Sequence, residues 1–133
     1  LFDEKYEELT GLLTPEMTAM EQLLFLNREL FHMIEDSISL DLLARLYSTQ
    51  LTTNGEKHLL DHNRIYYKLL RKIIAKGQAE GQLSSRSNVN EMVKLYALCE
   101  RALLYDWCLC AGEYALTEYS AKVLPGFLSS FLP

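Results

Sequence analysis

Along this chain apolar residues recur at intervals of three and four rather than two, and three prolines and six glycines are the main punctuation. That spacing predicts helix almost throughout. Phe2, Tyr6 and Leu9 predict a short first helix that stops near Gly11. Thr14-Pro15-Glu16 then offers a capping hydroxyl, a proline at N1 and a first-turn carboxylate for a second helix running to about Ile38. Ser39 can cap a third, Leu40 to about Leu51, closed by Thr52-Thr53-Asn54-Gly55, where Asn-Gly favours a turn of positive φ. A fourth spans about Leu59 to Glu80, followed by the polar linker Gly81 to Ser87. Asn88 with Glu91 resembles a reciprocal N-cap for a fifth helix ending at Gly112. The sixth runs from Ala115 to about Leu132, with a kink or interruption at Pro125-Gly126.

The faces of these helices differ in kind. On the second, Met20, Leu23, Leu30, Phe31, Ile34 and Ile38 form one stripe opposite Arg28, His32, Glu35 and Asp36, and Asn27 falls in the middle of the apolar side. On the fourth, Ile65, Tyr66, Leu69, Leu70, Ile73 and Ile74 oppose Arg64, Lys68, Arg71, Lys72 and Lys76. The fifth is apolar nearly all round: Met92, Val93, Tyr96, Ala97, Cys99, Leu103, Leu104, Trp107 and Cys108 cover one half. Leu95, Leu98, Ala102, Tyr105 and Leu109 are scattered among Glu91, Lys94, Arg101 and Asp106 on the other. A helix of that kind is buried on both sides. One side is expected to meet this chain's core and the other a second copy, and the wide arc Leu116, Val123, Leu124, Phe127, Leu128, Phe131 and Leu132 on the sixth helix carries the same message. The fold class is therefore all-α, one domain of about six helices over residues 1–133, with the last two helices forming the interface of a homodimer.

Length and composition agree with one self-sufficient core: 133 residues, 49% hydrophobic and 23% charged. Thirteen basic against eighteen acidic residues, net charge -5, argue against a chain that holds nucleic acid by its overall field. Three cysteines, Cys99, Cys108 and Cys110, share one apolar segment instead of being spread through loops, which suits a reducing, cytoplasmic setting. No apolar run approaches the roughly 18 to 20 residues of a membrane span. The chain opens Leu1-Phe2-Asp3 without an initiator Met or a leader pattern, and reads as a fragment of something longer.

Two segments carry a resemblance. Lys72-Ile73-Ile74-Ala75-Lys76-Gly77-Gln78-Ala79-Glu80-Gly81-Gln82-Leu83, and Leu103-Leu104-Tyr105-Asp106-Trp107-Cys108-Leu109 followed by Gly112, Tyr114 and Leu116, resemble the C-terminal half of TetR-type transcriptional regulators. The order and lengths of the six expected helices agree with it over the whole chain. The resemblance implies an effector-binding domain that pairs through its last two helices into a four-helix bundle. It also implies a repressor that reaches operator DNA only through an N-terminal helix-turn-helix, absent from this chain, with no enzyme activity and no cofactor.

Rival chemistries find little support. Glu29-Leu30-Phe31-His32 has the Glu-x-x-His spacing of a di-metal bundle but lacks a second copy and lies on a polar arc. His58 and His62 share a helical face without a third ligand nearby. Cys108 and Cys110 point about 160° apart on a helix, and the Arg64 to Lys76 stripe has no aromatic interleaving, so both read as ordinary packing and solvation. What remains are Asn27 and Glu100, each alone on an apolar face, where burial without a partner costs a few kcal/mol. Either another core residue meets them or they are polar handles of a mostly apolar cavity for a small hydrophobic or aromatic effector. The cavity reading places it between the second, fourth and fifth helices, lined by Leu30, Phe31, Tyr66, Tyr67, Leu70, Tyr96, Leu103 and Trp107.

Overall fold

A computed structural model describes residues 2–52 and 65–133, with side chains over 6–49 and 65–133. These residues form an all-α domain of six helices: α1 (Phe2–Leu12), α2 (Ala19–Ser37), α3 (Leu40–Thr52), α4 (Ile65–Ala79), α5 (Val89–Leu109) and α6 (Leu116–Phe127), closed by a 3-10 turn at Ser129–Phe131. The expected Asn54-Gly55 turn, the start of the fourth helix at Leu59, Arg64 and the His58/His62 pair lie outside the described residues. α2 packs on α4 and α6, α5 packs on α3, α4 and α6, and α1 lies against α4. The core joins Leu23, Leu26 and Phe31 of α2, Leu70 and Ile74 of α4, Val93 and Tyr96 of α5, and Leu116 and Leu124 of α6.

The start of α2 corrects the sequence reading. Thr14-Pro15-Glu16 does not cap it: Met17 N–H donates to the Thr14 carbonyl at 3.1 Å, so Pro15 sits in a turn. Thr18 is the cap, receiving Glu21 N–H at 3.1 Å while Glu21 Oε1 receives Thr18 N–H at 2.8 Å. Two donors satisfied reciprocally outweigh one hydroxyl beside a proline. At α5 the expected reciprocal cap is half present: Asn88 Oδ1 accepts Glu91 N–H at 2.9 Å, and the return bond from the Glu91 side chain is absent. Ser39 caps α3 as expected, accepting Leu42 N–H at 3.1 Å. α5 ends at Leu109, before Gly112. α6 continues through Pro125 and stops two residues later at Phe127, giving way to the 3-10 turn instead of running to Leu132.

The segments that carry the resemblance are structural joints. Gly77 lies where α4 meets the start of α2: a Cβ there would stand 2.6 Å from Ala19 Cβ and 2.7 Å from Leu83 Cδ1, so only glycine fits. Gly81, at φ +75, turns the chain back so that Gln82 and Leu83 N–H both reach the Gly77 carbonyl, at 2.8 and 3.0 Å. Gln82 Oε1 then accepts Ala19 N–H at 2.9 Å, and Gln78 Nε2 donates to the carbonyls of Ser84 and Ser87 at 3.1 and 2.7 Å. In the second segment, Trp107 Nε1 donates to the Tyr114 carbonyl at 2.9 Å and Tyr114 hydroxyl to Asp106 Oδ2 at 2.9 Å, clamping the turn through Ala111 and Gly112, both of positive φ.

Candidate functional site

The ten residues expected to line a cavity are all buried, and the polar atoms of Asn27, Tyr66 and Glu100 find one another. Asn27, on the core stripe of α2, donates from Nδ2 to Glu100 Oε2 at 2.9 Å. Tyr66 of α4 donates its hydroxyl to Glu100 Oε1 at 2.7 Å and stands 3.3 Å from the Tyr96 hydroxyl. Tyr96, one turn before Glu100 on α5, donates to the Leu23 carbonyl at 2.8 Å. Ser120 of α6 completes the set by donating to Asn27 Oδ1 at 2.6 Å. Four helices thus meet in one polar knot inside an apolar core. Of the two alternatives open to Asn27 and Glu100, the partners present in the structure are other core residues. Leu30, Phe31, Leu70, Leu103 and Trp107 pack around them as core, and Tyr67 accepts a hydrogen bond from Arg101 Nη1 at 3.2 Å.

The electrostatics follow from burial. Desolvation raises Glu100 to about 7, against the opposing pull of the hydrogen bonds from Asn27 and Tyr66, the neighbouring Tyr96 hydroxyl and the more distant charge of Arg101. Burial, and then the negative field of Glu100, push the Tyr66 and Tyr96 hydroxyls well above their ordinary range, so both stay protonated donors.

Sequence reasoning passed over two members of this architecture. Ser120 interrupts the buried series Leu116, Ser120, Leu124 at intervals of four, a signal available from the spacing. Glu35, assigned to the polar arc of α2, caps α6: its carboxylate accepts Leu116 N–H at 2.9 Å, Thr117 N–H at 2.8 Å and the Thr117 hydroxyl. Burial works against that carboxylate, yet the bonds from Thr117 and Leu116 prevail and hold it below its usual range. The clue was Ala115 at the N-cap, which has no side chain to do the work.

The expected dimer surface divides in two. Leu116, Leu124, Leu128 and Phe131 are buried within this chain, where α6 packs onto α2 and α5 and the turn after it folds back on α6, so they belong to its core and not to an outer face. Val123 is half-buried. Leu95, Leu98, Ala102, Tyr105, Leu109 and Phe127 are exposed.

A groove of about 370 Å³ lies between α2 and α6, lined by Asn27 and Ser120 of the knot together with Met17, Leu24, Phe25 and Pro125, and of the ten residues expected to line a cavity it is Asn27 alone that borders it. His32 Nε2 pairs with Asp36 Oδ2 at 3.1 Å on the surface. Among the described residues no three His, Cys, Asp or Glu side chains cluster as metal ligands, and no helix is long and apolar enough to cross a membrane. Cys99, Cys108 and Cys110 are free thiols. Comparison with protein-family models, curated proteins and solved structures finds no match.

Proposed function

We propose that this chain is the sensing and self-association domain of a TetR-like transcriptional repressor, in which a change at the helical core alters the spacing of two DNA-binding heads supplied by the intact protein. The observation that carries this reading is the second apolar face of α5. Leu95, Leu98, Ala102, Tyr105 and Leu109 follow one another at steps of three and four, the spacing of a helix-pairing seam. That seam lies across the helix from the buried Tyr96, Glu100, Leu103 and Trp107, about 150° away. Leu98, Tyr105 and Leu109 are 46, 51 and 67% exposed, with Lys94, Arg101 and Asp106 alongside, and Phe127 of α6 is 52% exposed. An apolar seam edged by charge fits a second copy of the same chain. The free thiols suit a reducing cytoplasm, and the net charge of -5 leaves operator DNA to the N-terminal heads. Light scattering behind size exclusion tests the reading: a mass of two chains at micromolar concentration is expected, and a clean monomer at high micromolar concentration would overturn it.

The knot around Glu100 favours a second reading, a self-association module without an organic effector, because the residues that would grip one grip each other. Calorimetric titration with 1-anilinonaphthalene-8-sulfonate, an aromatic probe of effector size, separates the two: stoichiometric heat supports the effector reading and its absence the module.

A further inference from the structure

We propose that the ligand of the four-helix knot is a proton: Glu100, Tyr66, Tyr96 and the Leu23 carbonyl form a hydrogen-bond chain whose Glu100–Tyr66 link reverses direction when the carboxyl is protonated, and Asn27 couples that state to α2 and α6. The inference deepens the sensor reading and rests on it for its purpose, although the chemistry of the site stands by itself.

The chain starts at a carboxyl that is 4% exposed and, among the described residues, is contacted by neutral donors alone. The titratable or polar groups turned toward it are Tyr6 on α1, stacked on Tyr66 with ring centres 4.5 Å apart; Asn27 on α2; Tyr47 on α3; Tyr66 and Tyr67 on α4; Tyr96, Cys99 and Arg101 on α5; and Ser120, one bond removed, on α6. Arg101 is the one cation among them, and its Nη1 is directed to the Tyr67 hydroxyl. A buried carboxylate without a contacting cation takes up a proton far more readily than an exposed one. The site is therefore poised near neutrality.

Both charge states can be fully bonded here, which is what makes the site a switch and not a fault. In the ionised state Asn27 Nδ2 and Tyr66 hydroxyl donate to the two carboxylate oxygens, and Tyr96 donates to the Leu23 carbonyl. In the neutral state the incoming proton resides on Oε1 and is donated to the Tyr66 oxygen. Tyr66 turns its own proton to the Tyr96 oxygen, now 3.3 Å away, and Tyr96 keeps its bond to Leu23. One proton enters from solvent, one hydroxyl rotates, and no covalent bond other than the new O–H changes. The neutral chain runs unbroken from α5 through α4 and back to the α2 backbone, closing the 3.3 Å gap, so the two states differ in how tightly these helices are tied. Such a difference is what lets a bound proton shift a conformational equilibrium. Leu98 and Ala102 lie within the same turn of α5 as Glu100, on its outer face.

The test is a carboxyl-carbon NMR titration of the whole chain. Glu100 should titrate near neutrality, well above the ordinary carboxylate range, and the amide signals of Leu23, Asn27 and Ser120 should move with the same midpoint. Tyr66→Phe removes a donor that serves the ionised state, so proton affinity at Glu100 should rise about tenfold. Glu100→Gln should abolish the neutral-range movement of the three amides. A Glu100 midpoint in the ordinary carboxylate range, a midpoint unmoved in Tyr66→Phe, or amide movements that persist in Glu100→Gln would each overturn the proposal. Failure of the sensor reading is seen separately, as a monomer in light scattering, because the titration reads Glu100 whatever the association state.

Discussion

At the residue scale, two carboxylates are tuned in opposite directions by where the fold puts them. Glu35 sits partly in water and receives two backbone N–H groups and a hydroxyl at the start of α6, which holds its folded pKa down. Its stabilising effect is therefore present above the unfolded carboxyl range and lost as pH falls through the lowered folded value. Glu35→Ala leaves the α6 donors without their acceptor and should cost about 1–2 kcal/mol in urea unfolding at neutral pH. A loss below a few tenths would show that water replaces the carboxylate. Glu100 has the opposite sign, because its folded pKa is raised from 4.5 to about 7. Between those values the folded chain binds the extra proton, so stability falls as pH rises from the lower to the upper and then levels off. The difference corresponds to something on the order of 3 kcal/mol. Thermal unfolding from pH 4.5 to 8 should show that decline, and Glu100→Gln should flatten it.

At the element scale, the fold is locked where helix ends meet. α4 can approach the first turn of α2 only because residue 77 has no side chain, and the same joint positions Gln82 to serve Ala19 N–H. Gly77→Ala would gain helix propensity, worth about 0.8–1.0 kcal/mol in an exposed helix. Against this, the added methyl meets Ala19 Cβ at 2.6 Å and Leu83 at 2.7 Å, and forced overpacking costs about 1–3 kcal/mol. The clash involves the short, backbone-anchored Cβ of Ala19, which cannot swing aside, so the net effect should be a lower melting temperature. An unchanged or higher value would show that the joint relaxes. Gly81→Ala, with open space around it but φ +75, should destabilise through backbone strain alone, by about 1 kcal/mol.

At the scale of the whole molecule, the question is what covers the outer face of α5. If a second copy does, a charge in the middle of the seam must be desolvated in the pair and not in the single chain. Leu98 is 46% exposed, so Leu98→Glu should leave the melting curve of the monomer close to that of the parent while converting a two-chain mass to a one-chain mass in light scattering. Phe127→Glu on α6 should do the same if α6 shares the interface. Leu124, fully buried beside it, supplies the contrast: Leu124→Glu should unfold the chain rather than dissociate it.

What the sequence determined by itself was local and periodic. Apolar steps of three and four placed six helices, Ser39 and Asn88 marked two starts, and helical phase turned Asn27 and Glu100 inward. Each rests on forces that act within a few residues: backbone hydrogen bonding, capping, and the preference of one face for an apolar neighbour. The start of α2 was missed because two competing caps lie four residues apart and differ only in the reciprocal bond of Thr18 and Glu21. Tertiary structure alone decided which residues those faces met. Phase shows that Asn27 and Glu100 point inward but not that they point at each other across 73 residues, nor that Glu35 reaches 82 residues along the chain to cap α6. It likewise marks Leu116, Leu124, Leu128 and Phe131 as apolar without saying whether α2 and α5 or another molecule covers them. Direction is a property of one helix, whereas partnership depends on the placement of two.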